Sequence, residues 1–141
     1  MKRLFVDTAG WMAMADARDP MHVSFRTARD QWLEAGGMLV VSNYVVDETL
    51  TLIRMRLGLN AAEQWWDQVS ESPRCRTEWV TPDRAERAVR WFFRWNDQSF
   101  SFTDCTSFVL MKELQIEKAL TADHHFLTAG FEIFPSFRGA Q

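Results

Sequence analysis

Four carboxylates stand where apolar segments stop or turn polar, and their placement suggests one shared site. The stretch Arg3-Leu4-Phe5-Val6-Asp7-Thr8 is a short apolar run that ends in an acid. Near the other end of the chain, Ala119-Leu120-Thr121-Ala122-Asp123 repeats the pattern. Glu48 lies amid Val45, Val46 and Leu50, and Asp104 follows Phe100-Ser101-Phe102. Gathered in one cleft, four carboxylates repel one another, so they must hold protons or share a cation. Hard oxygen donors of this kind select Mg²⁺ or Mn²⁺. Two such ions would flank a phosphodiester, one activating water and one steadying the leaving oxygen. Taken singly, each acid also has an ordinary reading. Asp7 and Asp123 could end strands, Asp104 could answer a helix dipole, and Glu48 could be a solvated helix acid.

For the four to meet, distant segments must converge on one edge of a sheet. Leu4–Val6 reads as a strand buried on both faces, as does Met38-Leu39-Val40-Val41. Further strands are expected at Thr77–Val80, Ala119–Ala122 and Phe131–Phe134. Helical spacing of apolar residues runs from Trp11 to about Ala17. It resumes after the Asp19-Pro20 cap signal and continues to about Ala35, where Gly36-Gly37 stops it. Ser42 or Asn43 caps a helix that ends before Gly58, and Asn60 with Glu63 resembles a capping box for the next. Thr81-Pro82 opens another helix, and the last long one starts at Thr103 or Asp104. The order βααβααβααβ with a trailing strand predicts an α/β fold, a parallel sheet with helices on both faces and right-handed crossovers. In such sheets ligands bind at the carboxyl ends of the strands. Asp47 neighbours Glu48 but points about 100° round the helix, so Glu48 is the one assigned to the cleft.

The chain of 141 residues suits one domain, 1–141, and its 47% hydrophobic and 25% charged residues are those of an ordinary globular protein. No apolar run is long enough to cross a membrane. Met1-Lys2-Arg3 leads into the first strand without a secretory h-region, which predicts a cytoplasmic location. Cys75 and Cys105, without zinc-type spacing, read as free thiols in a reducing compartment. The formal net charge of −3 neither supports nor excludes a phosphate-bearing substrate, because acids at a metal site are neutralised by the metal. No Cys–His or Ser–His–Asp arrangement and no glycine-rich phosphate loop is present.

The segments Phe5-Val6-Asp7-Thr8, Ser42-Asn43-Tyr44-Val45-Val46-Asp47-Glu48, Phe102-Thr103-Asp104 and Leu120-Thr121-Ala122-Asp123 resemble the four acidic motifs of the PIN-domain nucleases. They come in the right order, with similar spacing, across nearly the whole chain. The compact bacterial and archaeal members, which include the VapC-type toxins of toxin–antitoxin pairs, are the most similar. The resemblance implies a three-layer α/β/α sandwich around a mostly parallel sheet and a Mg²⁺- or Mn²⁺-dependent endoribonuclease, the toxin of a type II pair. Asp7, Glu48, Asp104 and Asp123 would hold metal directly or through water, and Thr8 matches the hydroxyl residue that often supports the first acid. Asp123 corresponds to the family's least constant acid. The expected partners are an RNA substrate, an antitoxin whose peptide occupies the cleft, and a second copy of the chain.

Other residues admit two readings. His124 and His125 could bind metal or move protons, but a turn histidine is the simpler reading. Arg84, Arg87, Arg90 and Arg94 share one helix face, either as an RNA-contacting stripe or, preferred here, as a solvated face. Seven tryptophans suggest that some of the aromatic surface meets a dimer partner or an antitoxin. The rival functions are another metal-dependent phosphoryl hydrolase, acting on DNA or a phosphomonoester, and a non-catalytic signalling or binding α/β module. The second rival wants an acid pair before Asp7, which is absent.

Overall fold

The computed structural model describes residues 2–136. Its elements are β1 (Arg3–Val6), α1 (Thr8–Ala15), α2 (His22–Glu34), β2 (Met38–Ser42), α3 (Asn43–Leu57) and α4 (Leu59–Glu71). They continue as β3 (Cys75–Glu78), α5 (Pro82–Arg94), α6 (Phe102–Leu114), β4 (Lys118–Leu120), α7 (His125–Thr128) and β5 (Glu132–Phe134). All the strands run parallel in the order β3-β2-β1-β4-β5, the central layer of an α/β/α sandwich. Leu4, Phe5 and Val6 of the central strand are fully buried, as an apolar run in a doubly covered sheet must be.

The strand order has one decisive consequence. From β1 the chain builds outward through β2 to β3, then returns to the other side of β1 to lay down β4 and β5. The connections after β1 and β4 therefore diverge, and a crevice opens between them at the carboxyl edge. Register brings Val6 opposite Leu120, so the residues just beyond each strand, Asp7 and Thr121, face one another.

Helix boundaries follow local chemistry. α3 is capped by the Ser42 hydroxyl, which accepts the Val45 N–H at 3.1 Å, and it buries Val45, Thr49 and Ile53 at successive turns. α6 is closed by a reciprocal capping box between Ser101 and Asp104 and is buried from Cys105 to Met111. At Gly10 an added Cβ would lie 2.1 Å from the Leu120 carbonyl oxygen, so only glycine lets α1 lie this close to β4.

Several boundaries differ from the sequence expectation. Asp19 does not cap α2; its Oδ1 accepts the Met21 N–H in a turn, and the helix begins at His22. The Asn60/Glu63 box does not form, because Gly58, at φ 101°, both ends α3 and starts α4. β3 lies two residues earlier than expected, paired with β2 through Leu39–Cys75 to Ser42–Glu78. β4 stops at Leu120, so Asp123 lies past the strand in the turn that leads to α7. The short helix α7 itself was not expected.

Candidate active site

Asp7 is the most deeply placed acid, 6% exposed. It caps α1, with Oδ1 accepting the Gly10 N–H at 2.9 Å, while Oδ2 accepts the Thr121 hydroxyl at 2.8 Å. Burial pushes its carboxyl up to about 7; the two hydrogen bonds oppose the rise, and the charges of Asp123 and Asp104 add to it. Thr121 is fully buried, and its oxygen also accepts the Asp123 N–H at 2.9 Å. One hydroxyl thus ties the ends of β1 and β4 together and fixes two of the acids relative to each other.

Asp104 enters from the start of α6. Its Oδ2 accepts the Ser101 N–H at 3.1 Å, which holds the carboxylate at the helix N-terminus. Burial raises its pKa, against the Ser101 bond and with the Asp123 charge. Asp123 is held by the turn into α7, where its Oδ1 accepts the His125 N–H at 2.9 Å. The His125 ring bridges the two acids, Nδ1 being 3.3 Å from Asp104 Oδ2 and 3.2 Å from Asp123 Oδ1. Its Nε2 meets Ser99 Oγ at 3.2 Å, and its face meets Phe100 edge-on.

Asp7, Ser99, Ser101, Asp104, Asp123 and His125 line one open cleft of ≈ 520 Å³, together with Thr8, Glu48, Arg56 and Asp19. Glu48 reaches the cleft wall from the exposed side of α3, whereas Asp47 does not line it. Asp7, Glu48, Asp104 and Asp123 therefore share a cleft, but not equally. Asp104, Asp123 and His125 have ligand atoms within 4.8 Å of one another, Asp7 joins them through Thr121, and Glu48 stands at the rim without a hydrogen bond among the described residues. Thr8 Oγ1, next in sequence to Asp7, is buried without a partner among the described residues. His124 is exposed at the start of α7.

The sequence pattern did not single out Thr121 or place the His125 ring against the two acids. Thr121 carries no signal of its own, since a threonine at a strand end is ordinary. His125 could have been found from its position two residues after an acid, where an Asx-type turn brings its ring back over that acid.

The PIN-domain family model matches residues 4–132. The chain belongs to the PIN-domain nucleases. Within that family it is 37% identical over 128 residues to the 23S rRNA-specific endonuclease VapC20 of Mycobacterium tuberculosis, covering 91% of this chain and 95% of that one. Ribonuclease VapC26 of the same species is 27% identical over 130 residues. The crystal structure of VapC20, described as a Sarcin-Ricin loop cleaving toxin, superposes with a TM-score of 0.82 at 34% identity, covering 91% of this chain and 95% of that one. FitAcB from Neisseria gonorrhoeae, 13% identical with a TM-score of 0.63, shares the fold.

PIN nucleases use a divalent metal, and the donors of this PIN domain fit one. Its acids offer hard oxygens, and Asp7 and Asp104 bear raised pKa values of the kind that an added cation would relieve.

Proposed function

We propose that this PIN-domain nuclease is a Mg²⁺- or Mn²⁺-dependent endoribonuclease and the toxin of a type II toxin–antitoxin pair. Asp7, Glu48, Asp104 and Asp123 would hold the metal, directly or through water. The observation that carries the reading is the meeting of Asp7, Asp104 and Asp123 at the β1/β4 crevice, with Glu48 on the facing wall. The bound ion supplies an activated water and neutralises charge on the phosphate. The protein's own part is to hold the donors still. Thr121 fixes Asp7 and the Asp123 backbone, Ser101 fixes Asp104, and His125 spans Asp104 and Asp123 while its other nitrogen reaches Ser99 at the rim. That chain of contacts gives His125 a route to pass a proton between the acids and the rim. Thr8, next to Asp7 with a buried hydroxyl that has no partner among the described residues, would support the first acid or a water beside it.

An antitoxin segment would silence the enzyme by filling the same cleft. A homodimer is favoured by exposed apolar side chains on and near α5, among them Phe93 at 72% and Trp79 at 65% exposure. No helix among the described residues is long and apolar enough to cross a membrane. Cys75 and Cys105 are free thiols, which suits the cytoplasm, where RNA and antitoxin would be met.

Cleavage of an rRNA fragment carrying a loop of the kind VapC20 cuts tests the proposal. Cleavage with Mg²⁺ or Mn²⁺, none with a chelator, and at least a hundredfold loss in Asp7→Asn and Asp104→Asn is expected. Variants that cut as fast as the parent would show that the site is elsewhere. Hydrolysis of DNA or a phosphomonoester, with RNA untouched, would replace the ribonuclease with the rival hydrolase.

A further inference from the structure

A second cleft carries the opposite charge. Where α5, α6 and α7 meet, an opening of ≈ 590 Å³ is lined by Arg87, Arg90, Arg94, Lys112, Trp91 and Trp95, with Ala129 beside them and no acid in its wall. The arginines of α5 thus divide. Arg84 and Arg87 are drawn to Glu113 and clamp α5 to α6. Arg90 only grazes Glu86, at 3.9 Å, and neither Arg94 nor Lys112 has an ion-pair partner among the described residues. Trp91 is braced against Phe108 at 5.4 Å, while Trp95, at the end of α5, is 41% exposed. Trp91 Nε1 and Arg87 Nε are buried donors without acceptors among the described residues.

The lining therefore offers cations, N–H donors and indole rings, and no carboxylate. Its matching ligand is a polyanion that carries flat rings, and single-stranded RNA has both. An acidic peptide would match the charge but would stack on an indole only where it carries an aromatic side chain, whereas every nucleotide of a strand carries a ring.

The cleft also lies within reach of the acids. α7 has His125 in contact with Asp104 and Asp123 at one end and is followed at the other by Ala129, which lines the basic cleft. Along α6, Asp104 and Lys112 are eight residues apart, about 12 Å. We propose that this basic, indole-lined cleft binds the RNA strand flanking the cut site, with phosphates on Arg94 and Lys112 and a base stacked on Trp95. The proposal rests on the ribonuclease reading and extends it to the substrate's flank.

The test is equilibrium binding of a fluorescent single-stranded RNA in chelator, where no hydrolysis occurs, across a salt series. Arg94→Gln combined with Lys112→Gln should weaken binding at least tenfold and flatten the log–log salt slope by about 1.4, at roughly 0.7 for each lost phosphate contact. Trp95→Ala should weaken it roughly tenfold with little change in slope. Arg76→Gln, which removes an exposed charge on β3 that is paired with Glu78 and lies outside the cleft, is the control. All these side chains are solvent-facing, and matching melting curves verify that each variant folds. Parent-like affinity in both cleft variants overturns the proposal, as does a parent that binds no RNA. Polyglutamate binding that depends on Arg94 and Lys112 while RNA binding does not would assign the cleft to a protein partner instead. Adding metal to the same samples separates the two readings. RNA bound through the cleft but never cut refutes the ribonuclease alone; RNA cut normally with cleft variants binding normally refutes the cleft alone.

Discussion

Replacing Asp7 by Asn should make the metal-free protein more stable, by an amount that depends on pH. The carboxyl is held at about 7 in the fold against 3.8 in a free chain, chiefly by burial. A difference of about 3 units corresponds to about 4 kcal/mol of penalty for the ionised form. The sign follows from proton counting. Below about pH 4 the group is protonated in both states and contributes nothing. Between about 4 and 7 the unfolded chain gives up the proton and the fold keeps it, so stability falls as pH rises. Above about 7 the full penalty stands. Asparagine removes the charge and still accepts the Gly10 N–H as an N-cap. Its amide would face the Thr121 hydroxyl with the wrong polarity, however, which costs about 1 kcal/mol. The net expectation is a gain of roughly 2–3 kcal/mol at pH 8, or roughly 5–10 °C in melting temperature. At pH 4 the gain should be gone and Asp7→Asn slightly less stable than the parent.

The assay is thermal and urea denaturation in chelator at several pH values between 4 and 8, repeated with Mn²⁺. Added metal should raise the parent's stability and leave Asp7→Asn nearly unmoved, because the variant lacks a carboxylate that would bind the ion and no longer carries the buried charge that the ion would offset. A variant less stable than the parent at pH 8, or a gap that does not change with pH, would refute the reasoning, since the buried charge would then not be the destabilising element.

Two further perturbations probe the frame that carries the acids. Gly10→Ala places a Cβ against the Leu120 carbonyl, so α1 must lift off β4 and carry Asp7 away from Thr121; a loss of about 2–3 kcal/mol and of most cleavage is expected in urea titration and RNA assay, whereas Ala9→Gly on the exposed neighbour should cost about 1 kcal/mol and spare activity. Glu113→Gln opens the α5–α6 clamp. The Arg84 and Arg87 bonds hold the Glu113 carboxyl down at about 2, so its contribution is full above the usual glutamate range and is lost as pH falls toward 2. After allowance for solvent screening it amounts to about 1 kcal/mol at pH 7, measured as a shift in urea midpoint that should vanish near pH 2.

The fold was legible in the sequence because its alternation of apolar runs and amphipathic stretches leaves few topologies to choose from. The joining of Asp7 to Asp123 was legible only in outline. Which strands are neighbours decides which ends meet, and the placing of β4 directly beside β1 is a property of the whole sheet. Thr121 illustrates the limit. Its side chain matters because β4 stops one residue earlier and Val6 pairs with Leu120, facts that no local pattern encodes. Asp104 was visible as an acid in a first helical turn, but its Ser101 partner was not named, since Ser101 was read as part of the preceding segment. The boundary errors at α2 and α4 share a cause. Asp19 and Asn60 are cap-type residues, yet a turn satisfies Asp19's side chain and the backbone freedom of Gly58 makes a side-chain cap at Asn60 unnecessary.

Where sequence rules of stability fail in this molecule, they fail together. A buried acid with a raised pKa, a buried threonine hydroxyl without a partner and a histidine wedged between two carboxylates all sit at the β1/β4 crevice. A chain selected only for stability would replace them with apolar residues. Their common remedy is a cation, which would settle the charges of Asp7, Asp104 and Asp123 and order a water within reach of Thr8. The cleft across α7 shows the complementary imbalance, with Arg94 and Lys112 unpaired and no acid in its wall among the described residues. A phosphate backbone passing from one cleft to the other would answer both, its scissile group beside the acids and its flank on Arg94 and Lys112. Each cleft alone can be given another explanation; their adjacency, joined through α6 and α7, is what favours a single extended anionic substrate.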